Sequence, residues 1–288
     1  MSFYRVKTAR AGTTLVVTLW LITIMSIFGI GLARTSYTHY KYAKFKMDKV
    51  LSLYAINAVV AKNKLERMGD LTTAYDVPSE LAREEEYEAG DVKVIYSMID
   101  EESLININTA PSSVLMNLPD ISKGKSIAIA SSTFKPFEVK EKMLLIDEID
   151  EEDYLNIKDA VTIHGKGRVN INTCSEETLE MLGMKERLVD LVIRYRKGED
   201  YELFSADDRV FETTSGIKDA IAEEYSLSTG EEQDLIAFIG KGLLSVRSEN
   251  FRINAEIYIS GRVVDKYLVV IGREEGSKRY SVKEWNQR

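Results

Sequence analysis

The most regular hydrophobic pattern in the chain is an uncharged run near the amino terminus. No charged side chain occurs from Thr13 to Leu32, and Arg10 and Arg34 lie on either side of the run. As an α-helix rising about 1.5 Å per residue, the uncharged residues 11–33 would extend roughly 34 Å. Because a bilayer core is about 30 Å thick, this run predicts a membrane-spanning helix.

The helical pattern continues beyond the apolar run. No Pro or Gly occurs between Arg34 and Gly69, and apolar side chains recur there at spacings of three and four residues. This predicts one helix from residue 13 to about residue 68. Its second half has an apolar stripe that must pack on the protein's own domain, on neighbouring helices or on both.

Alternating apolar and polar positions predict strands at both ends of the remaining chain. They occur at 92–99, at 251–259 and 263–271 around a Ser-Gly turn, and in a short piece ending near Trp285. Residues 71–90 are polar and acidic, which predicts a connection with at most one short helix. We expect the terminal strands to form one sheet, with the helical middle of the chain inserted between them.

The middle of the chain contains an internal repeat. The sequence Ile105-Asn106-Ile107-Asn108-Thr109 recurs sixty-four residues later as Val169-Asn170-Ile171-Asn172-Thr173. A helix start follows each copy, because Pro111 fits a first turn and Thr173 has capping-box spacing to Glu176. Each copy therefore predicts a short extended piece and then a helical hairpin, and this arrangement resembles helix-hairpin-helix and related SAM-like modules.

Such modules often bind DNA, but the charge of this chain argues against that role. Residues 1–68 carry eleven Lys or Arg against two acids, whereas the rest of the chain has a balance of −17. The predicted hairpin turns at 119–124 and 183–186 lack a pair of glycines around an aliphatic residue, and both contain an acid. We predict no nucleic-acid partner, and a helix-hairpin-helix DNA-binding membrane protein is a minor alternative.

Few side chains suggest catalysis. The two histidines are His39, just after the apolar run, and His164, which we expect on the surface of a turn. The single cysteine, Cys174, excludes an intramolecular disulfide, and we expect it to be a small buried side chain. No catalytic constellation emerges, and we predict that the protein is not an enzyme.

The twelve residues before the apolar run resemble a prepilin leader. They contain three basic residues and end in Gly12, so that small residues precede the apolar run, the reverse of a secretory signal. Cleavage after Gly12 would make Thr13 the first mature residue and Val17 the fifth. An uncleaved signal anchor is the alternative.

In this order, these features resemble the type II secretion system protein K family, the large minor pseudopilins. The matching parts are the leader with its helix, residues 100–110, residues 169–173, and the closing strand 248–253 with the tail 282–285. They cover nearly the whole length. The resemblance implies an α+β fold, in which a long transmembrane pilin-like helix packs on a small antiparallel sheet and two helix-hairpin repeats form a large inserted all-α domain.

The expected domains follow from this resemblance. They are the leader 1–12, the transmembrane and periplasmic helix 13–68, the first part of a pilin-like α/β domain 69–104, the inserted helical domain 105–247 with repeats at about 105–168 and 169–247, and the closing strands 248–288.

The resemblance also implies a location and a role. The protein would cross the inner membrane once, with its short amino terminus in the cytoplasm, and a prepilin peptidase would process it. It would join the I and J minor pseudopilins and cap the tip of the periplasmic pseudopilus, where it could meet the secretin or exported proteins. Most pilin-like subunits have Glu at the fifth mature position, where Val17 stands here, and the K subunit typically lacks it. A type IV pilus minor pilin is the alternative, although it would not explain the repeat.

The family has been associated with calcium, and acidic side chains are abundant in this chain. Candidate ligands lie in residues 147–153 and at Asp207-Asp208, but no spacing matches an EF-hand loop. We therefore predict no certain cofactor, with calcium as an open possibility and its ligands unassigned.

Overall fold

The computed structural model describes residues 9–69, 76–77, 81, 84–202 and 207–287. Most of the predicted leader, residues 1–8, lies outside this range. The chain forms two compact units, the first ending at Tyr54 and the second beginning at Ala55. Helix α1 (Ala9–Gly69) runs through the boundary between them.

In the first unit, α1 is exposed along its apolar length. Every described side chain of residues 12–47 is exposed, and the helix is long and apolar enough to cross a membrane. In the second unit, the last turns of α1 are amphipathic: Ile56, Val59, Val60 and Asn63 are buried, whereas Leu65 remains 67% exposed.

A five-stranded antiparallel sheet is the base of the second unit. Its strands are β1 Glu84–Ala89, β2 Val92–Asp100, β7 Asn250–Ile259, β8 Arg262–Arg273 and β9 Tyr280–Gln287. Their order in the sheet is β1-β2-β7-β8-β9, and β2 pairs with β7 from Val92↔Ile259 to Asp100↔Phe251. The end of α1 contacts this sheet, because Lys62 donates to Tyr96 of β2 and Arg67 lies over the Phe251 ring. The α+β class, with a long apolar helix and an antiparallel sheet, is confirmed.

Residues 101–249 leave and return to the sheet between two adjacent strands. Their helices are α2 Ser112–Leu115, α3 Lys123–Ala130, α4 Glu151–Ile157, α5 Glu176–Met181, α6 Glu186–Lys197, α7 Ile217–Glu224 and α8 Thr229–Gly240, with 3₁₀ turns at Glu101–Ser103 and Lys140–Leu145. Two parallel pairs join β3 Ile105–Asn106 to β4 Val161–Thr162, and β5 Val169–Asn170 to β6 Leu244–Ser245. A continuous hydrophobic core lies within residues 105–246. The helix-hairpin description and the domain boundaries stay predictions.

Strand β1 corrects the expected connection at 71–90. The acidic stretch Glu84–Ala89 forms an edge strand in which Glu85 and Tyr87 are half-buried and the other four side chains are exposed. Glu86 faces Lys93 of β2 at 2.7 Å, and Glu85 accepts a hydrogen bond from Lys62 of α1 at 2.5 Å. Charged side chains are tolerated on an edge strand and discourage its pairing with another chain, so acidity does not exclude a strand here.

Candidate functional site

Four buried carboxylates lie where the sheet joins the segment 101–249, and we call this cluster the acidic junction. Its members are Asp76, Asp100, Glu101 and Glu102, each at most 6% exposed. Asp100 ends β2 and caps the 3₁₀ turn that follows, accepting a hydrogen bond from the Glu102 N–H at 2.7 Å. Since buried charges are costly unless they are paired or hydrogen-bonded, the partners of this cluster define what it holds together.

Asp100 connects the sheet to the second Asn motif. Its Oδ2 accepts hydrogen bonds from Thr173 Oγ1 at 2.5 Å, Ser248 Oγ at 2.6 Å and Asn170 Nδ2 at 3.1 Å. Asp76 shares two of these partners, because its Oδ2 accepts from Asn170 Nδ2 at 2.8 Å and from the Ser248 N–H at 2.6 Å. Thus Asn170 and Ser248 bridge two carboxylates that approach from different parts of the chain.

Glu101 connects the sheet to β4, the strand near the end of the first copy of the repeat. It accepts a hydrogen bond from Thr162 of β4, and its Oε1 lies 3.2 Å from Arg252 Nε on β7. The neighbouring Glu102 accepts from Asn250 Nδ2 at 2.8 Å and from the Glu249 N–H at 3.0 Å. The three consecutive acids therefore hold both copies and the start of β7 at one place.

A glycine makes room for this packing. Gly165 has φ +86°, and a Cβ added there would lie 2.6 Å from Glu102 Cγ. Both the backbone conformation and the space therefore favour glycine at this position.

Burial sets the protonation of the acidic junction. It raises the pKa of Asp76 to about 7, an effect that the nearby Asp100 reinforces and that the Ser248 N–H and Arg67 oppose. Burial also raises the pKa of Glu102 to about 7 and raises the pKa of Asp100, although four hydrogen bonds favour the ionised form of Asp100. Arg67 Nη1 lies 3.8 Å from Asp76 Oδ1, so this cation favours the ionised form of Asp76 and limits the effect of burial on its pKa.

The two Asn motifs make matching contacts inside the helical segment. In each copy, the side-chain oxygen of the first Asn accepts the backbone N–H of the second, at 2.9 Å in Asn106-Asn108 and 3.1 Å in Asn170-Asn172. The second Asn then brackets the backbone of one phenylalanine. The four bonds are Phe137 N to Asn108 Oδ1 at 2.7 Å, Asn108 Nδ2 to Phe137 O at 3.1 Å, Phe211 N to Asn172 Oδ1 at 2.8 Å and Asn172 Nδ2 to Phe211 O at 2.9 Å.

The copies differ in what the first Asn reaches. Asn106 donates to the carbonyls of His164 and Gly165 at 2.7 and 3.0 Å, whereas Asn170 reaches the acidic junction. Thr109 packs against Gly167, where a Cβ would lie 2.0 Å from the Thr109 hydroxyl, and Thr173 donates to Asp100. Of the predicted motif residues, the structure therefore brings Asn170 and Thr173 to the junction.

The predicted processing residues lie in the other compact unit. Gly12, Thr13 and Val17 are exposed positions of α1, and the Val17 side chain is 58% exposed. Helix α1 begins at Ala9, so the last leader residues are helical. Cleavage after Gly12 and the role of Val17 stay predictions.

Three of the candidate calcium ligands, Asp150, Asp153 and Asp207, bind other groups of the protein. Asp150 and Asp153 form the capping box of α4, and Asp153 also binds Lys125 at 2.5 Å. Asp207 accepts the N–H groups of Glu199 and Asp200. Within the described ranges, no group of three or more His, Cys, Asp or Glu side chains is placed to hold a metal ion. Calcium binding stays an untested prediction.

Two further side chains can be compared with expectation. Cys174 is fully buried, and burial raises its pKa to about 11, which agrees with a packing role. His164 is not a surface residue as expected, since its side chain is 15% exposed and Nε2 lies 3.0 Å from Glu284 Oε2 on β9. The contact with β9 covers the His164 side chain, and local sequence does not reveal such a long-range contact.

Sequence reasoning missed most partners of the acidic junction. No local pattern marks Asp76, Ser248 or Thr162 as its partners. The available signal was the Asp-Glu-Glu-Ser segment itself, placed directly between a strand and the first Asn motif.

The architecture described above defines a GspK-like fold: a long apolar helix, an antiparallel sheet, and a helical segment between two neighbouring strands. A solved structure with this fold is a chain in the crystal structure of the GspK-GspI-GspJ complex from the enterotoxigenic Escherichia coli Type 2 Secretion System. The match has a TM-score of 0.59 and 15% sequence identity, and it covers 86% of this chain and 98% of that chain. No protein-family model and no curated protein sequence matches this chain. At this identity the likeness establishes the fold.

Proposed function

We propose that this protein is a minor pseudopilin of a type II secretion system, without enzymatic activity. The observation that carries the proposal is the GspK-like fold over 86% of the chain, together with an apolar helix at its amino terminus. In this proposal α1 anchors the protein in the inner membrane, a prepilin peptidase cleaves after Gly12, and the second unit is periplasmic.

The proposed position is the tip of the pseudopilus, together with I- and J-type minor pseudopilins. Two features support a tip position. Val17 is apolar, so the fifth mature residue imposes no demand for a cationic partner in lipid. The segment 101–249 adds a second hydrophobic core beside the sheet, which enlarges the head of the subunit. Contacts with the secretin or with exported proteins are further parts of this proposal.

Export and assembly test the proposal directly. In a strain lacking the gene, we expect secretin-dependent enzyme export to be lost and twitching motility to be unchanged, and the full chain to restore export. The second unit should also copurify with soluble I- and J-type subunits. Normal export in the deletion strain, or loss of twitching alone, would contradict the proposal and favour a type IV minor pilin.

Val17→Glu probes the position in the filament, with Val16→Glu as a control for the cost of a carboxylate in lipid. We expect Val17→Glu to reduce export or displace the subunit from the tip, because Glu at this position would seek a neighbouring amine. Equal export and equal localisation of the two variants would contradict a special role of Val17.

A further inference from the structure

A cluster of cations and aromatic side chains follows the apolar run of α1. Between Arg34 and Lys49 the chain has five Lys or Arg and a single acid, Asp48, whereas the residues after 68 are strongly acidic. We call this cluster the basic-aromatic ring. Its members are Tyr37, Tyr40, Lys41, Tyr42, Lys44, Phe45, Lys46 and Lys49, all exposed except the half-buried Lys49.

The ring covers about two thirds of the helix circumference instead of forming one narrow face. Successive residues of an α-helix are about 100° apart, so Lys44 and Lys46 project about 160° from one another, as do Tyr40 and Tyr42. A docked protein contacts one face of a helix. A layer of lipid headgroups surrounds a helix that crosses it, and this is the geometry that the ring fits.

Three of the ammonium groups point back toward the apolar run. Side chains on a helix tilt toward its amino terminus, and three lysines each lie over the aromatic ring four residues earlier. The pairs are Lys41 over Tyr37 at 4.7 Å, Lys46 over Tyr42 at 5.5 Å and Lys49 over Phe45 at 5.7 Å. Each charge therefore lies about one helical turn nearer to the apolar run than its own Cα atom.

The positions along the helix match the edge of a bilayer. At about 1.5 Å per residue, Tyr37 lies about 6 Å and Tyr42 about 14 Å beyond Ala33, the last uncharged residue of the run. A headgroup layer is roughly 5–8 Å thick on each side, and a surface potential decays over about 8 Å at physiological salt. The charges of Lys41 and Lys46 thus fall in this layer or within its field.

We infer that the basic-aromatic ring binds anionic phospholipid headgroups on the carboxyl-terminal side of the membrane span. This inference rests on the proposed membrane anchor. Lysines near a membrane surface are attracted to anionic lipid, and tyrosines prefer the interface because their rings are apolar and their hydroxyls are polar. The ring would thereby fix the depth of α1 and enrich anionic lipid around it.

The test uses the full chain reconstituted into phosphatidylcholine vesicles and measures its association with spin-labelled phosphatidylglycerol and phosphatidylcholine by electron paramagnetic resonance. The variant is Lys41→Gln/Lys44→Gln/Lys46→Gln. The control, Lys123→Gln/Lys185→Gln/Lys241→Gln, removes the same charge from exposed positions in the second unit. The leader also contains cations, so the informative quantity is the difference in phosphatidylglycerol preference between wild type and variant.

We expect wild type and control to prefer phosphatidylglycerol, and the ring variant to lose at least about half of that preference at low salt. Raising the salt to about 1 M should remove the difference, because a charge interaction of exposed groups is screened. Inorganic phosphate should compete no better than chloride of equal ionic strength if a lipid array is the ligand. An unchanged ratio in the ring variant, or stronger competition by phosphate, would overturn the inference. Failure of the chain to float with vesicles would instead refute the membrane anchor itself.

Discussion

Asn172 shows how one side chain organises a long connection. It is fully buried, and it satisfies the N–H and carbonyl groups of Phe211, thirty-nine residues later. Asn108 does the same for Phe137 in the first copy. The repeat made these asparagines visible in the sequence. Their partners were not visible, because neither phenylalanine lies in a repeated motif at a fixed distance.

Asn172→Ala should therefore destabilise the second unit. The substitution leaves the buried Phe211 N–H without its acceptor, which costs about 1–3 kcal/mol, and it removes further hydrogen bonds. We expect a loss of roughly 2–4 kcal/mol in the free energy of unfolding, measured by urea denaturation of residues 55–288. The matched control is Asn156→Ala, an exposed asparagine that binds Asp120 at 2.9 Å, and it should change stability by less than about 0.5 kcal/mol. Equal losses of unfolding free energy in the two variants would show that the hydrogen bonds from Asn172 to the Phe211 backbone are unimportant for stability.

The acidic junction makes stability depend on pH in a defined direction. Folded Asp76 has a pKa of about 7, whereas an unfolded Asp titrates near 4. Unfolding therefore releases a proton between these values, and this group's contribution to stability falls as pH rises from about 4 to 7. Glu102 acts in the same direction.

Asp76→Asn removes the Asp76 part of this dependence. Relative to wild type, we expect the variant to gain about 1 kcal/mol or more in unfolding free energy between pH 5 and pH 8, measured by urea denaturation at each pH. For Asp147→Asn, at an exposed position, the unfolding free energy should change with pH as it does in wild type. A constant difference between Asp76→Asn and wild type at both pH values would contradict a raised pKa.

At the scale of elements, α1 changes its surroundings along its length. Its apolar run is exposed, whereas several residues of its last turns, Ile56, Val59, Val60 and Asn63 among them, are buried within the second unit. Periodicity alone predicted the helix to about residue 68, and it ends at Gly69. The edge strand β1 was not predicted, because its glutamates resemble a solvated connection until the pairing with β2 is known.

Two substitutions separate the two faces of this part of α1. Ile56 is fully buried, so Ile56→Ala should cost about 2–5 kcal/mol of unfolding free energy in residues 55–288. Leu65 is 67% exposed, and Leu65→Ala should change stability by less than about 0.5 kcal/mol. In pull-downs with I- and J-type subunits, we expect Leu65→Ala to weaken binding if neighbouring helices cover this face. Strong destabilisation by Leu65→Ala would show that the face packs on its own domain.

At the scale of the whole molecule, the order of features carried more information than any one motif. The apolar helix, strands at both ends and a helical middle predicted the α+β class, and the GspK-like match agrees with that order. Sequence did not reveal the acidic junction, since Asp76, Asp100, Asn170 and Ser248 are brought together only when the sheet has formed. Local sequence patterns reveal helical or strand periodicity, whereas this cluster depends on contacts between residues that are far apart in the chain.

The pairing of β2 with β7 has a consequence for how the protein is made. Asp100 and Phe251 are partners in the sheet, although the whole helical segment separates them in the chain. Bringing such distant residues together is entropically slow. During synthesis, β2 must wait for β7 to emerge, and its hydrogen-bonding edge stays open until then. We therefore expect the helical segment to fold before the sheet closes, which makes the nascent chain most vulnerable to aggregation or proteolysis just before β7 is synthesised.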